Sequence, residues 1–342
     1  ITLNPDFTKA YYNLSTLTST DENKIWQKKL FSESFLKNKS KNDQFNIFFA
    51  RANILHKRKN YKESAKCLKL ANQLKILIHP SNSDSLIKKS KLLLIESNKA
   101  NLNLKKQKNN LQSIFIVGMP RSGTTLAESI ISMNSEVLDL GEINAFERSF
   151  KEWKEKKGTV DLVDLYMQRI NKKLKSHITT NKWLYNYQYA GIIASQIPNS
   201  KIIHCYRNPL DNILSIYRTN FAKDNEYSSS LIDCANIYLD HKQIMKEYKK
   251  RFPENIYDLN YDLLVRNPDK EIKSLISWLG WDWNDAYLTP HLNPRSVTTA
   301  SNIQVRFPIN SKSVGGWKNY KEMLKPAMEI ITQKVKYKNL KY

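Results

Sequence analysis

The chain has 342 residues, 41% of them hydrophobic and 11% aromatic. That is enough for one large domain and a smaller one, and too apolar for a disordered segment. No apolar run nears the roughly 20 residues of a membrane span. Cys67, Cys205 and Cys234 are too far apart and too few for a disulfide framework or a zinc site, which points to a reducing cytoplasm. A net charge of +23 suits an anionic nucleotide, an acidic acceptor or a nucleic acid. However, lysine outnumbers arginine about four to one and is spread evenly, so the charge reads mainly as solvated surface and nucleic acid is not the expected partner.

In chain order, the segment to about Leu74 reads as helical. Asn4-Pro-Asp-Phe7 followed by Ala10-Tyr-Tyr-Asn-Leu14 resembles the junction of two tetratricopeptide units, a terminating proline ahead of an aromatic and a leucine. A second copy runs from Phe48 to Asn72, with Phe48, Ala52, Leu55, Tyr61, Ser64 and Ala71 near the repeat's bulky and small positions. Arg51 stands where the repeat prefers leucine, and an ordinary helical hairpin is the alternative. Two such units are fewer than the three an array normally needs, and the chain begins inside one. They are expected to cap a longer array or to pack on the next domain, and their surface could hold a peptide. His79-Pro-Ser-Asn-Ser-Asp84 is a turn-rich break. Ser85 to Gln112 reads as an amphipathic connecting helix.

Ile114 to Val117 has the length and β-branching of a buried strand. Gly118-Met-Pro-Arg-Ser-Gly123 follows as a turn whose glycines permit close approach of a ligand. Thr124 to Met133 reads as a helix with Leu126, Ile130 and Met133 on one face. Strand, glycine-bounded loop and helix N-terminus together cradle an anion. The spacing is that of G-x-x-x-x-G-K-[ST], except that Thr124 replaces the lysine and the loop offers Arg121 instead. A nucleotide kinase or NTPase, which relies on that lysine and a metal, is an alternative the substitution argues against.

Beyond the loop, Glu136 to Glu142 reads as a short strand that delivers Gly141-Glu142 to its carboxyl end, where open α/β sheets bind ligands. Glu147 to Leu174 reads as helical and as a cover for the sheet. Lys201 to Tyr206 is a strand with Arg207 at its end, and Asn208-Pro-Leu-Asp211 opens a helix that carries Ser215. His204, among apolar strand neighbours, reads as a packed histidine and not a base. Further helix runs through Arg251, then a strand from Asn255 to Tyr261 and a helix from Lys270 to Leu279. Trp278-Leu-Gly-Trp-Asp-Trp283 reads as core.

Pro120-Arg-Ser-Gly-Thr-Thr125 behind a hydrophobic strand resembles the 5′-phosphosulfate loop of sulfotransferases that use 3′-phosphoadenosine 5′-phosphosulfate (PAPS). It is most like the tyrosylprotein sulfotransferase branch and bacterial sulfotransferases with N-terminal tetratricopeptide repeats. The resemblance runs from about Ser113 to about Leu324. It implies a three-layer α/β/α domain with a mainly parallel sheet and a P-loop-like core over 113–342. Ahead of this come a linker and connecting helix over 76–112 and the helical repeat region over 1–75. PAPS would be the co-substrate and adenosine 3′,5′-bisphosphate the product, with no metal.

The resemblance also implies residue roles. Pro120, Arg121, Ser122, Gly123, Thr124 and Thr125 would hold the 5′-phosphosulfate, and Glu142, a glutamate after a glycine, would be the catalytic base. Asn181-Lys-Trp-Leu-Tyr-Asn186 is similar to the family's Asp-Lys-x-Pro-x-Asn, which gives Lys182 a contact with the transferring sulfuryl group; Asn181 and Leu184 depart from the pattern. Arg207, with Ser215 eight residues later, would bind the 3′-phosphate, as a guanidinium and a helix hydroxyl can. Tyr261-Asp-Leu-Leu-Val-Arg-Asn-Pro268 places Tyr261 near the nucleotide. Thr298 to Asn310 and Ser313-Val-Gly-Gly-Trp317 are similar to the C-terminal lid, with Ser301 near the bridging oxygen. The often basic position before Trp317 is Gly316 here.

The implied reaction is in-line sulfuryl transfer from PAPS to an acceptor hydroxyl. A protein tyrosine, a saccharide and a small alcohol are all open as the acceptor. A non-catalytic helical-repeat scaffold or a basic nucleic-acid binder is the remaining alternative.

Overall fold

The computed structural model describes residues 4–17, 24–99, 111–157, 159–171, 177–221, 224–295, 297 and 302–333. The chain divides into two compact units: Ile1–Asp84 with Pro209–Tyr238 and Ser313–Tyr342, and Ser85–Asn208 with Leu239–Lys312.

The first unit opens with α1 (Thr8–Leu17), α2 (Lys24–Phe31), α3 (Lys41–Lys57) and α4 (Tyr61–Ile78). Ser40 caps α3 by accepting the Asp43 N–H at 3.1 Å. Lys59 takes a φ of 59° at the turn, and the Asn60 side chain caps α4 through the Glu63 N–H at 3.3 Å. Small residues sit where these two helices meet: the Ser64 hydroxyl donates to the Ala52 carbonyl at 2.8 Å. Arg51, out of place for a leucine site, donates from Nε to the Leu30 carbonyl at 2.7 Å and from Nη2 to the Ser32 carbonyl at 2.9 Å. It thereby satisfies carbonyls at the C-terminal end of α2. After the break at His79, α5 (Ser83–Lys99) begins; residues 100–110 of its expected continuation lie outside the described residues.

The second unit carries the sheet. β1 (Gln112–Gly118) is followed by α6 (Thr124–Ile131), β2 (Val137–Asp139), α7 (Ala145–Glu155), α8 (Leu162–Asn171), β3 (Ile178–Asn181), α9 (Ala190–Gln196) and β4 (Ser200–Tyr206). In sequence there follow α10 (Pro209–Tyr217), which belongs to the first unit, α11 (Leu231–Arg251), β5 (Ile256–Asn260), α12 (Tyr261–Arg266), α13 (Pro268–Leu279) and, again in the first unit, α14 (Lys321–Gln333). The strand order is β2-β3-β1-β4-β5 and each neighbouring pair is parallel, with Phe115 opposite Asn181 and Gly118 opposite Cys205.

Alternate residues of β1 face opposite sides. Ile114 and Ile116 join Ile130, Ile272 and Leu275, while Phe115 and Val117 join Phe146, Tyr166 and Ile193. Both faces are therefore covered, which is why the strand reads as a continuous apolar run. The result is the expected three-layer α/β/α arrangement. Because the strands are parallel, their carboxyl ends share one edge, and that edge places the site.

Some elements differ from the sequence expectation. The helical stretch from Glu147 comprises two helices as far as Asn171, because Lys157 takes a φ of 48° and Asp161 starts α8 by accepting the Val163 N–H at 2.8 Å; residues 172–174 lie outside the described residues. β3 carries no apolar signal: Thr179, Thr180 and Asn181 are polar yet buried. Tyr261 opens a helix and does not end a strand, since the Asn260 side chain accepts the N–H groups of Asp262 and Leu263. Trp278 and Trp281 pack on the core as expected, but Trp283 is exposed and donates to Asp285 at 2.8 Å.

Candidate active site

The loop after β1 is shaped by close backbone approaches. Gly118 has a φ of +151°, and a Cβ there would lie 2.4 Å from the Cys205 carbonyl oxygen. Gly123 has a φ of +100°, and its Cβ would meet the Tyr261 ring at 2.5 Å. Arg121 takes a φ of 66°, and the Ser122 N–H donates to the Met119 carbonyl at 3.2 Å. The first intrahelical acceptor of α6 is Gly123, reached by the Ala127 N–H at 3.0 Å, so the first-turn amides have no acceptor within the helix. The Ser122 hydroxyl is 1% exposed and has no hydrogen-bond partner among the described residues. A buried hydroxyl beside a helix N-terminus fits a phosphate or sulfate oxygen. Arg121 Nη2 donates to the Gln304 side chain at 2.9 Å, tying the loop to the segment expected to be the lid.

Next along the edge is a cluster of charged side chains. The chain leaves β2 through Gly141, whose N–H donates to Asp139 Oδ1 at 2.7 Å, and presents Glu142. At the end of β3, the Lys182 N–H donates to the Gly141 carbonyl at 3.0 Å, which fixes the two loops side by side. Lys182 is 1% exposed, and its Nζ donates to Glu142 Oε1 at 2.6 Å, while the Glu142 side chain keeps 37% exposure. The carboxylate is thus open to solvent and pinned by a buried ammonium.

Behind Lys182, at 3.8 Å, lies Glu128 Oε2, on α6 one turn beyond Thr124 and 2% exposed. Arg295 Nη1 approaches the same oxygen at 3.0 Å, pairs with Asp139 Oδ2, and its Nη2 donates to Ser129 Oγ at 3.2 Å. Burial pushes the Glu128 carboxyl up to about 8; the Asp139 carboxylate adds to this, and Lys182 and Arg295 oppose it. Arg306 donates to the carbonyls of Asn293 and Arg295, and the Asn293 side chain donates to the Ser129 carbonyl at 3.2 Å. These contacts hold the C-terminal segment of this unit on α6.

At the end of β4, Arg207 is buried with its guanidinium 4.7 Å from the centre of the Tyr261 ring, and Nη1 donates to the Arg121 carbonyl at 3.4 Å. The sheet edge therefore brings together Arg121, Arg207 and Tyr261 in one group and Glu142 with Lys182 in another. His204 is packed, its Nδ1 2.6 Å from Asp258 and its ring 5.6 Å from Tyr206 and 4.9 Å from His241, as expected of a structural histidine.

In the first unit, Ser215 is half-buried on α10. Asp211 organises Ser313–Trp317 by accepting the Gly315 N–H at 2.6 Å and the Trp317 N–H at 2.9 Å. A Cβ on Gly316 would have only Asp211 Oδ1 nearby, at 3.9 Å, so the missing basic side chain is not a steric matter. Ser301 lies outside the described residues.

Glu128, Asp139 and Arg295 did not emerge from sequence reasoning. The available signal was a glutamate within the apolar helix Leu126-Ala-Glu-Ser-Ile-Ile131, a position rarely buried without partners.

The sequence profile of the sulfotransferase family matches residues 113–285, just over half of the chain and the whole of the sheet. The chain belongs to the sulfotransferase family. An uncharacterized protein of Aquifex aeolicus (strain VF5) is 34% identical over 244 residues, covering 64% of this chain and 32% of that protein. The chain thus spans about a third of the length of that curated relative. Among solved structures, this sulfotransferase resembles the sulfotransferase domain of the Synechococcus PCC 7002 olefin synthase, at 16% identity and a TM-score of 0.48, over 66% of this chain and 98% of that one. Mouse sulfotransferase SULT7A1, solved in complex with PAP, is 19% identical with a TM-score of 0.45, over 72% of this chain and 91% of its own. No described helix of this sulfotransferase is long and apolar enough to cross a membrane.

Proposed function

We propose that the protein transfers a sulfuryl group from PAPS to an acceptor hydroxyl. The observation that carries this is the sheet edge: an anion loop that lacks the nucleotide-kinase lysine lies beside a solvent-open glutamate paired with a buried lysine. Bound PAPS supplies an activated sulfuryl group on a phosphate leaving group. The Ser122 hydroxyl, the first-turn amides of α6 and the Arg121 guanidinium provide fixed donors for the oxygens at which charge develops. Preorganised donors of this kind are worth about a hundred- to a thousandfold each.

Glu142 accepts the proton of the acceptor hydroxyl at its open edge, as a general base worth about a hundredfold or more. Lys182, released from Glu142, faces the sulfuryl oxygens with a charge already stripped of water. Arg207 and Ser215 are assigned to the 3′-phosphate, Tyr261 to the nucleotide, and Ser301 to the bridging oxygen. Residues 1–75 are assigned to a tetratricopeptide-like arm. Such arms hold peptides, which favours a protein tyrosine over a saccharide or a small alcohol as acceptor. The unpaired cysteines fit a cytoplasmic setting.

Incubation with radiolabelled PAPS and, in turn, tyrosine peptides, saccharides and alcohols tests this directly, with sulfated product expected from at least one class. Adenosine 3′,5′-bisphosphate should raise the melting temperature more than ADP or ATP does. Equal shifts from all three nucleotides, with magnesium-dependent ATP turnover, would replace it with the kinase reading.

A further inference from the structure

One member of the charge cluster has no part in the reaction outlined above. Glu128 is buried on the helix of the phosphate loop, and its Oε2 faces both Lys182 Nζ at 3.8 Å and Arg295 Nη1 at 3.0 Å. Its other oxygen, Oε1, is buried, and the carboxyl shares a hydrogen bond with Asp139. Lys182 thus stands between two carboxylates, Glu142 in front at 2.6 Å and Glu128 behind.

That placement matters because the resting pair is unreactive as it stands. The Lys182 ammonium holds Glu142 Oε1 at 2.6 Å, the same carboxylate that must receive the acceptor's proton. Once Glu142 takes the acceptor's proton it is neutral, and the buried Lys182 turns to the sulfuryl oxygens with Glu128 as the protein carboxylate still beside it. A buried ammonium is costly to hold without a fixed partner, so a carboxylate behind it keeps it aimed during the exchange.

We propose that Glu128 is a positioning residue for sulfuryl transfer, the carboxylate that keeps Lys182 in place when Glu142 gives it up. The inference rests on the sulfotransferase reading and assigns that site a residue outside the loop, the base and the nucleotide contacts. The groups that face Glu128 and Lys182 are Asp139 from β2, Glu142 from the loop after it, Arg295 from the C-terminal segment and the buried Cys205 thiol of β4. Arg295 is paired with Asp139 as well as Glu128, so its charge is divided and Glu128 retains capacity for Lys182. The raised Glu128 carboxyl gives the exchange a pH signature: the second anion becomes available as pH rises through about 8.

The test is Glu128→Gln, which keeps size and removes the charge. Affinity for adenosine 3′,5′-bisphosphate, by calorimetry, should stay within about twofold of wild type, because Glu128 touches no phosphate donor. The single-turnover rate should fall by about tenfold, and its rise across about pH 8 should disappear. A rate and pH profile equal to wild type would overturn the proposal.

If Glu128→Gln fails to fold, Glu128→Asp replaces it. The shorter side chain retreats from Lys182, and a smaller loss of rate with bisphosphate affinity intact is expected; an unchanged rate again overturns the proposal. A second readout needs no turnover. In Glu142→Gln, NMR of lysine labelled at Cε should show a Lys182 signal as restrained as in wild type, because Glu128 still holds it, and adding Glu128→Gln should release it. A signal released in Glu142→Gln alone, or unchanged in the double variant, would sink the proposal. Absence of bisphosphate binding and sulfuryl transfer in the wild type would instead remove the sulfotransferase reading, and the NMR result would still decide whether Lys182 has two partners.

Discussion

The loop after β1 and the Glu142–Lys182 cluster occupy neighbouring strand ends, yet they are built from different materials. The loop is mainly backbone: contiguous residues, glycines where a Cβ would strike the Cys205 carbonyl or the Tyr261 ring, and main-chain amides beside the Ser122 hydroxyl and Arg121. The cluster is side chain: Glu128, Asp139, Glu142, Lys182 and Arg295 come from separate segments and are satisfied mainly by one another. The loop therefore fails when atoms are added. The cluster fails when charges are removed.

The largest expected effect tests the first half of that contrast. Gly118→Ala places a methyl group 2.4 Å from a main-chain carbonyl at a φ of +151°, and neither strand can shift without breaking the β1–β4 register. A loss of about 3 kcal/mol in chemical denaturation is expected, at the upper end for overpacking. Unchanged stability would mean that the loop is far more pliable than its geometry implies.

Next is Glu142→Gln, which should lower single-turnover rate about a hundredfold, equivalent to roughly 2.7 kcal/mol in the barrier. Nucleotide affinity should hardly move. A variant that loses stability but keeps its rate per folded molecule would make Glu142 a structural member of the cluster and nothing more.

Arg207→Ala comes third. If the guanidinium grips a phosphate that does not react, bisphosphate affinity should weaken by about 30-fold, or roughly 2 kcal/mol, while turnover at saturating PAPS stays close to normal. Loss of turnover with unchanged affinity would move Arg207 from the nucleotide side of the edge to the chemical side.

A pH effect follows from Glu128. Its native carboxyl keeps its proton to about pH 8, whereas the unfolded one ionises near 4.5, so between these values the unfolded state binds fewer protons. Stability should therefore fall as pH rises across that window. Denaturation midpoints at several pH values should show the decline in wild type and its reduction in Glu128→Gln. An identical decline in both proteins would place the titrating group elsewhere.

The smallest effect sharpens the contrast from the opposite side. Gly316 has open space around its Cβ position, with only Asp211 Oδ1 at 3.9 Å. Gly316→Arg should leave stability within about 0.5 kcal/mol of wild type and tighten bisphosphate binding a few-fold. A large loss of stability would show that this glycine, like Gly118, is required by its surroundings.

The sequence alone determined the parts of this protein that are local. The apolar run before Gly118, the spacing from Gly118 to Gly123 and the periodicity after it were enough for β1, its glycine-bounded loop and α6. The apolar run before Arg207 and the turn at Asn208-Pro were enough for β4 and the start of α10, because strand periodicity and turn chemistry act over a few residues. Gly141-Glu142 and Lys182 were named individually, but nothing in their spacing said that they touch. Tertiary structure decided that. β3 is polar, so it gave no strand signal, and only its pairing between β1 and β2 sets the Lys182 N–H on the Gly141 carbonyl. Arg295 meets Glu128 across 166 intervening residues by folding back onto α6. A buried charge is tolerable only when its partners arrive with it, and those partners are chosen by the packing of distant segments.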